Sequence, residues 1–353
     1  MSDLRALISA LPNPAVIVGH DSRVWFANGP AQQLLDKDCE GRHYVTTLRQ
    51  PPILDAIEGA LAKGDTIAPK TIRYLGKDGA GETTWNVIVS ALNLSEGRAV
   101  LLSFQDITAV EGADEMRRDF VGNVSHELRT PLTTLVGFIE TLRGPARNDP
   151  TAQDRFLAIM EQEAARMHNL IQDLLSLSRV EGQQRIRPTA TISLDALIAE
   201  VVEALTPLAK ARDVALVCDF PDTQINVLGD REQLWQVISN LTENAIKYGG
   251  TGKQVKLTLT PSTHQKELMQ NGVRFSVADE GDGIPDHHIA RLTERFYRVD
   301  SHRSREVGGT GLGLAIVKHI ITRHRGRLRI QSEIGQGSEF TVIIPGENKK
   351  PTG

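Results

Sequence analysis

Short runs of alternating apolar and polar residues fill the first third of the chain, and apolar spacing of three and four residues takes over after it. Residues 15–18 and 24–27, bounded by turn residues such as Gly19-His20-Asp21-Ser22 and Lys77-Asp78-Gly79, predict strands of a small α/β module. Its last strand is expected at 99–105, leading through Asp106-Ile107-Thr108 into a charged helical stretch. From about 110 to 182 the pattern is helical, with one break between Gly144-Pro145 and Asp149-Pro150. Val121, Val124, Leu128, Leu135, Phe138 and Leu142 form one apolar stripe, with Pro131 in the seam between Leu128 and Leu135. Leu157, Met160, Ala164, Met167, Ile171 and Leu174 form the other. A two-helix antiparallel hairpin cannot bury both stripes alone, so a homodimeric four-helix bundle is expected. Between 189 and 344 helical and strand patterns alternate and end in strands at 327–331 and 339–344 around Gly335-Gln336-Gly337, which predicts an α/β layered domain. The expected organisation is a multidomain chain with boundaries at 1–108, 109–183 and 189–346, and a tail at 347–353.

Composition narrows the classes without choosing among them. The chain has 353 residues, 40% apolar and 24% charged, as a folded globular protein does. Lys+Arg 40 against Asp+Glu 44 gives a net charge of −4, without the basic footprint that direct nucleic-acid binding requires. The two cysteines, Cys39 and Cys218, lack metal-ligand spacing and read as buried small apolar residues. No apolar run approaches the roughly 18 residues of a membrane span, and the N-terminus has no basic region followed by an apolar core. A cytoplasmic location is expected.

His126 carries the first candidate chemistry. With Val121 at heptad position a, His126 falls at f and faces solvent. An exposed imidazole is substantially neutral at pH 7 and offers a nucleophilic nitrogen. Glu127 adjoins it and can orient the ring or accept its proton. Pro131 removes a backbone donor and crowds the carbonyl of Glu127, so a bend is expected just beyond the nucleophile.

The second lies in polar and glycine-rich segments later in a chain that has no Gly-x-x-x-x-Gly-Lys-Ser/Thr loop. Asp230 is placed to cap a helix running to about Lys247 with Leu234, Val237, Ile238, Leu241 and Ala245 on its apolar face. Asn240, Asn244 and Lys247 form an adjacent polar stripe whose amide oxygens and ammonium suit Mg²⁺ and phosphate, although such a stripe alone is more often a solvated helix face. A strand at 273–279 ends in Asp279-Glu280-Gly281-Asp282-Gly283, where a carboxylate can accept from an adenine amino group and glycines allow close approach. Gly308-Gly309-Thr310-Gly311-Leu312-Gly313-Leu314 then precedes an apolar helix, offering backbone amides to phosphate.

The run Phe120-Val121-Gly122-Asn123-Val124-Ser125-His126-Glu127-Leu128-Arg129-Thr130-Pro131-Leu132 resembles the phosphoacceptor box of sensor histidine kinases nearly residue for residue. The later segments, in order, resemble the N, G1, F and G2 boxes of that family's ATP-binding domain, an α/β sandwich of the Bergerat or gyrase type. The resemblance implies His126 as phosphoacceptor, Glu127 as acid/base, and Thr130 as the residue that positions a water when the partner is dephosphorylated. It implies Asn244 as Mg²⁺ ligand with Asn240 beside it, Lys247 on phosphate, Tyr248 against adenine, and Asp279 reading adenine in a pocket shaped by Gly281 and Gly283. Gly309, Thr310, Gly311, Leu312, Gly313 and Leu314 form the glycine loop. For Glu294-Arg295-Phe296-Tyr297-Arg298 the resemblance implies Phe296 as a packing anchor and Arg298 as a candidate for γ-phosphate charge, while 300–308, with Arg303 and Arg305, reads as a mobile lid. His20, His43, His287, His288 and His302 read as turn or surface residues.

Val24-Trp25-Phe26-Ala27-Asn28 before a helix, and the closing Asp106-Ile107-Thr108, resemble a PAS domain. Residues 138–146 and 173–179 look most like phosphate-regulon sensor kinases of the PhoR type. That likeness implies ATP and Mg²⁺ as cofactors and a PhoB-like response regulator with a receiver aspartate as partner. Such kinases usually carry membrane helices, so the chain is expected to be a soluble member or the cytoplasmic part of an inner-membrane kinase. A gyrase-type ATPase without phosphotransfer and a non-catalytic scaffold are the rival readings. The phosphoacceptor box argues against the first and the set of nucleotide boxes against the second.

Overall fold

The computed structural model describes residues 2–35, 38–62, 69–78, 81–182, 186–265, 270–299 and 309–346. The expected lid at 300–308, with Arg303, Arg305 and His302, and the tail at 347–353 lie outside the described residues. The chain divides into two compact units, Met1–Gly122 and Asn123–Gly353.

In the first unit α1 (Ser2–Ser9), β1 (Ala15–Gly19), β2 (Val24–Ala27), α2 (Gly29–Leu34), α3 (Tyr44–Leu48), α4 (Pro51–Ala62), β3 (Lys70–Asp78), β4 (Gly81–Leu94) and β5 (Gly97–Asp106) follow in order. The strands make one antiparallel sheet in the order β2-β1-β5-β4-β3. β1 is apolar without alternation because both its faces are covered. Val16 and Val18 pack with Ile53 and Ile57 of α4, while Ala15 and Ile17 pack with Ile8 of α1 and Phe26. Gly19 ends the strand where a Cβ would lie 1.9 Å from the Trp25 ring, so no larger residue fits.

Asn28 ties this unit together. Its Oδ1 caps α2 by accepting from Ala31 N and also accepts from Ala15 N, both at 3.0 Å. Its Nδ2 donates to the carbonyls of Ile8, Leu11 and Asn13. Alanine at 28 strands these buried backbone groups, and a loss of about 2–4 kcal/mol is expected, read as a lower Tm of the first unit's transition.

α5 (Thr108–Arg143) and α6 (Pro150–Gly182) follow, and the division between the units falls within α5. Thr108 starts α5 by donating its Oγ1 to Asp106 Oδ1 at 2.6 Å, and the same hydrogen bonds hold the Asp106 carboxyl below its ordinary pKa. α5 continues as helix through the buried Pro131. The pairing is antiparallel: Phe138 stacks on Phe156 near the connection, and Glu127 reaches Arg166 farther along. Leu170, Leu177 and Val180 are buried, whereas Val121, Leu132, Val136, Ile139, Leu157, Ile171 and Leu175 are exposed. Of the expected stripes, Val121, Leu157, Ala164 and Ile171 are therefore open in the single chain and the rest half-buried. No helix among the described residues is long and apolar enough to cross a membrane.

The remaining elements are β6 (Ala190–Ser193), α7 (Leu194–Ala211), β7 (Ala215–Asp219), β8 (Asn226–Gly229), α8 (Arg231–Tyr248), β9 (Gln254–Gln265), β10 (Gln270–Asp279), α9 (Asp286–Ile289), α10 (Gly313–Arg323), β11 (Arg327–Glu333) and β12 (Gly337–Pro345). Five strands form a sheet in the order β11-β12-β10-β9-β7, and β6 pairs with β8. α8 turns Leu234, Val237, Ile238, Leu241 and Ala245 into the core, as its spacing predicts. One expectation fails here. Cys39 is buried, but Cys218 is exposed, because β7 is an edge strand on which only Leu216 is even partly covered.

Candidate active site

The N-terminus of α8 is fixed before its side chains can do anything. Asp230 Oδ1 caps it by accepting from Gln233 N, while Arg323 Nη1 of α10 reaches Asp230 Oδ2 at 3.2 Å. The backbone N–H of Asp230 donates to His324 Nε2 at 3.0 Å, and His324 Nδ1 bonds the Ile320 carbonyl at 2.8 Å. His324 is 1% exposed, and burial pulls its pKa down, which keeps Nε2 an acceptor. With the apolar face of α8 locked inward, Asn240, Asn244, Lys247 and Tyr248 line a cleft of about 470 Å³.

Asp279, Gly283, Arg298, Gly309, Thr310, Gly311, Gly313 and Leu314 line the same cleft. Asp279 closes β10 at 9% exposure, and its Oδ1 accepts from Gly281 N at 2.9 Å. Burial pushes its carboxyl up, and the N–H groups of Gly281 and Ser338 and the Lys253 charge offset part of that. Gly283 sits at φ +73°, where a Cβ would lie 2.1 Å from the Glu333 carbonyl oxygen. Asn240 Nδ2 donates to Gly313 O at 3.4 Å, so its amide oxygen is the atom it can offer a cation. Lys247 pairs with Glu243 one turn back.

Three residues expected at the site stand behind its lining. Gly281 braces Asp279, Leu312 is fully buried beneath the glycine segment, and Phe296, at φ 63°, donates its N–H to Gly311 O at 2.9 Å. The Phe296 bond ties the segment carrying Arg298 to the glycine segment. His288, read from sequence as a surface residue, is half-buried and bonds Tyr297 Oη through Nδ1. His20 is exposed, and His43 caps α3 through Nδ1.

His126 is exposed on α5 and does not line the cleft. Glu127 Oε2 lies 3.2 Å from Arg166 Nη2 and 3.8 Å from Arg298 Nη2, and Arg298 belongs to the cleft wall. The residue after His126 is thus one guanidinium away from the cleft. Thr130 Oγ1 donates to the His126 carbonyl at 3.2 Å.

Residues of α6, which carry no motif for it, also line the cleft. Asn169, Gln172 and Asp173 of α6 line the cleft, and Thr310 Oγ1 donates to Asp173 Oδ2 at 2.6 Å. Ser176 bonds Gln236 at 2.6 Å, and Glu181 pairs with Arg295 and His319. Burial raises the pKa of Asp173 and the Glu243 charge adds to it, against the Thr310 hydrogen bond and Lys247. A carboxyl raised on folding contributes stability that is present below its unfolded pKa and lost as pH rises through the folded value. Asp173→Asn keeps an acceptor for Thr310 without the buried charge. The variant is expected to unfold at higher temperature than wild type near neutral pH, with the gap closing on acidification below the carboxylate range. A gap constant with pH would rule this out.

Residues 116–183 match the family described as His Kinase A (phospho-acceptor) domain, and residues 229–348 the family described as histidine kinase-, DNA gyrase B-, and HSP90-like ATPase. The phosphate regulon sensor protein PhoR of Pseudomonas aeruginosa is 40% identical over 266 residues, 74% of this chain and 58% of that protein. The sensor histidine kinase WalK of Bacillus subtilis is 30% identical over 346 residues, 97% of this chain and 55% of that protein. This chain therefore spans a little over half the length of these relatives. The solved histidine kinase ThkA, in complex with the response regulator protein TrrA, shares the fold at TM-score 0.52 and 21% identity, covering 98% of this chain and 99% of that one. With a phosphoacceptor domain, an ATPase domain of the gyrase type and a cleft joining them, the chain belongs to the sensor histidine kinases.

Proposed function

We propose that this chain binds ATP in the cleft between α6, α8 and α10, phosphorylates its own His126, and passes the phosphoryl group to an aspartate of a response-regulator receiver domain. The observation that carries this is the Glu127–Arg298 pair, which links the phosphoacceptor helix to the cleft wall. A neutral imidazole nitrogen of His126 attacks the γ-phosphorus, the bond from that phosphorus to the β–γ bridging oxygen breaks, and ADP leaves with the electron pair. The proton of the other ring nitrogen passes to Glu127. Arg298 and Lys247 take up charge on the transferred group. Asp279 accepts from the adenine amino group, Tyr248 lies against the ring, and the amides of residues 309–314 face phosphate at the start of α10. Mg²⁺ suits the carbonyl-type donors of Asn244 and Asn240, and when bound it neutralises triphosphate charge.

The dimer is proposed from the exposed apolar residues of the hairpin, which a second copy would cover in a four-helix bundle. The domain limits 1–108, 109–183 and 189–346 are kept as our reading. The first unit is read as a PAS sensor because its antiparallel sheet, with helices grouped between β2 and β3, accompanies the sequence signs at 24–28 and 106–108. A response regulator is the partner in the ThkA complex, and the same class is proposed here, PhoB-like by the similarity to PhoR. Phosphate-starvation signalling, Thr130-assisted dephosphorylation of the partner and a cytoplasmic site of action complete the proposal.

Incubation with γ-labelled Mg-ATP tests it. Acid-labile, alkali-stable label that chases onto a receiver domain is expected. ATP hydrolysis without label would favour a plain ATPase, and neither label nor hydrolysis a scaffold.

A further inference from the structure

Glu127 is held by two arginines that belong to different parts of the second unit. Arg166 Nη2 donates to Glu127 Oε2 at 3.2 Å from α6, the other helix of the same hairpin. Arg298 approaches the same oxygen at 3.8 Å, an ion-pair distance beyond a hydrogen bond, from the nucleotide domain. Arg298 lines the cleft, whereas Arg166 does not. Both guanidinium side chains are well covered, at 18% and 11% exposure, so neither contact is a freely solvated surface pair.

We infer that Arg166 is a positioning residue of the phosphoacceptor site, fixing the Glu127 carboxylate beside His126 from within the hairpin while Arg298 serves the nucleotide. The inference rests on the proposed kinase reading. Arg298 makes the longer contact with Glu127 and lines the cleft, so a γ-phosphate bound there competes with Glu127 for it. If Arg298 were the sole anchor, Glu127 would lose its orientation at the moment His126 needs a proton acceptor. Arg166 removes that conflict, because hairpin packing sets its distance to Glu127 and nucleotide-domain movement does not. A planar guanidinium offers several donors in fixed directions, which an ammonium does not, so arginine and lysine should differ here.

The experiment measures the rate of His126 phosphorylation against ATP concentration in the full chain, for wild type, Arg166→Met, Arg166→Gln and Arg166→Lys, each also combined with Glu127→Gln. Thermal unfolding and helical circular dichroism identify any variant that fails to fold, and the Gln variant, which keeps length and polarity, stands in for Met if Met does. Arg166→Met is expected to lower the maximal rate about tenfold with KM for ATP unchanged, with Arg166→Lys recovering part of the loss. In the Glu127→Gln background the same change should cost less than about twofold, since the group it positions is gone. An undiminished rate in the single variants, a rise in KM matching the fall in rate, or an equal loss with and without Glu127 would each overturn the assignment. Wild-type label on His126 separates the two claims. Without it the kinase reading itself falls, and with it only the role of Arg166 is at stake.

Discussion

Replacing His126 with alanine is expected to abolish acid-labile phosphorylation while ATP binding and fold survive. The side chain is exposed on α5 and takes no part in the cleft wall, so its removal leaves the nucleotide site untouched. A surface change of this kind moves stability by no more than about 0.5 kcal/mol, and alanine suits a helix at least as well as histidine. The chemistry has no substitute, because a methyl group provides no lone pair for phosphorus. A loss on the order of 10⁴-fold or more is expected in label per protein, with nucleotide affinity within experimental error of wild type. Label that persists would place the nucleophile on another of the ten histidines.

Arg298→Ala should give the second largest effect, of a different kind. The guanidinium stands at 11% exposure in the cleft wall, where little water competes for charge on a transferring phosphoryl group. Its removal is expected to lower the maximal rate of autophosphorylation by about 100- to 1000-fold, with a much smaller change in KM for ATP. Arg298→Lys restores charge but not the fork of donors, and should recover only part of the rate. A variant whose defect lies in KM alone would move Arg298 from charge stabilisation to ground-state binding.

Local pattern made much of this site legible. The apolar face of α8 determines which way Asn240, Asn244 and Lys247 point, and helical periodicity carries both facts at once. Asp279 and Gly283 are legible only through the order of the boxes around them, because a strand ending in carboxylate and glycine is equally an ordinary turn. Asp173 was not. Its position in α6 shows only that it flanks the apolar stripe, and its partner Thr310 is 137 residues away. Nothing in either segment encodes that docking, because it depends on how the nucleotide domain seats on the hairpin. The pairing of Glu127 with Arg298 and the link from His324 to Asp230 were hidden for the same reason. Cys218 misled in another way. Cysteine composition favours the interior, but strand order determines exposure, and strand order cannot be read from five residues.

The contrast between the two cysteines gives the molecule a built-in reporter. Cys39 is sealed in the core of the first unit, and Cys218 stands on the outer edge of the nucleotide domain's sheet. A thiol-directed dye applied to the folded protein would therefore mark one place only. Paired with a second fluorophore on the hairpin, that dye would report the distance between the nucleotide domain and α6, with no cysteine removed by mutation.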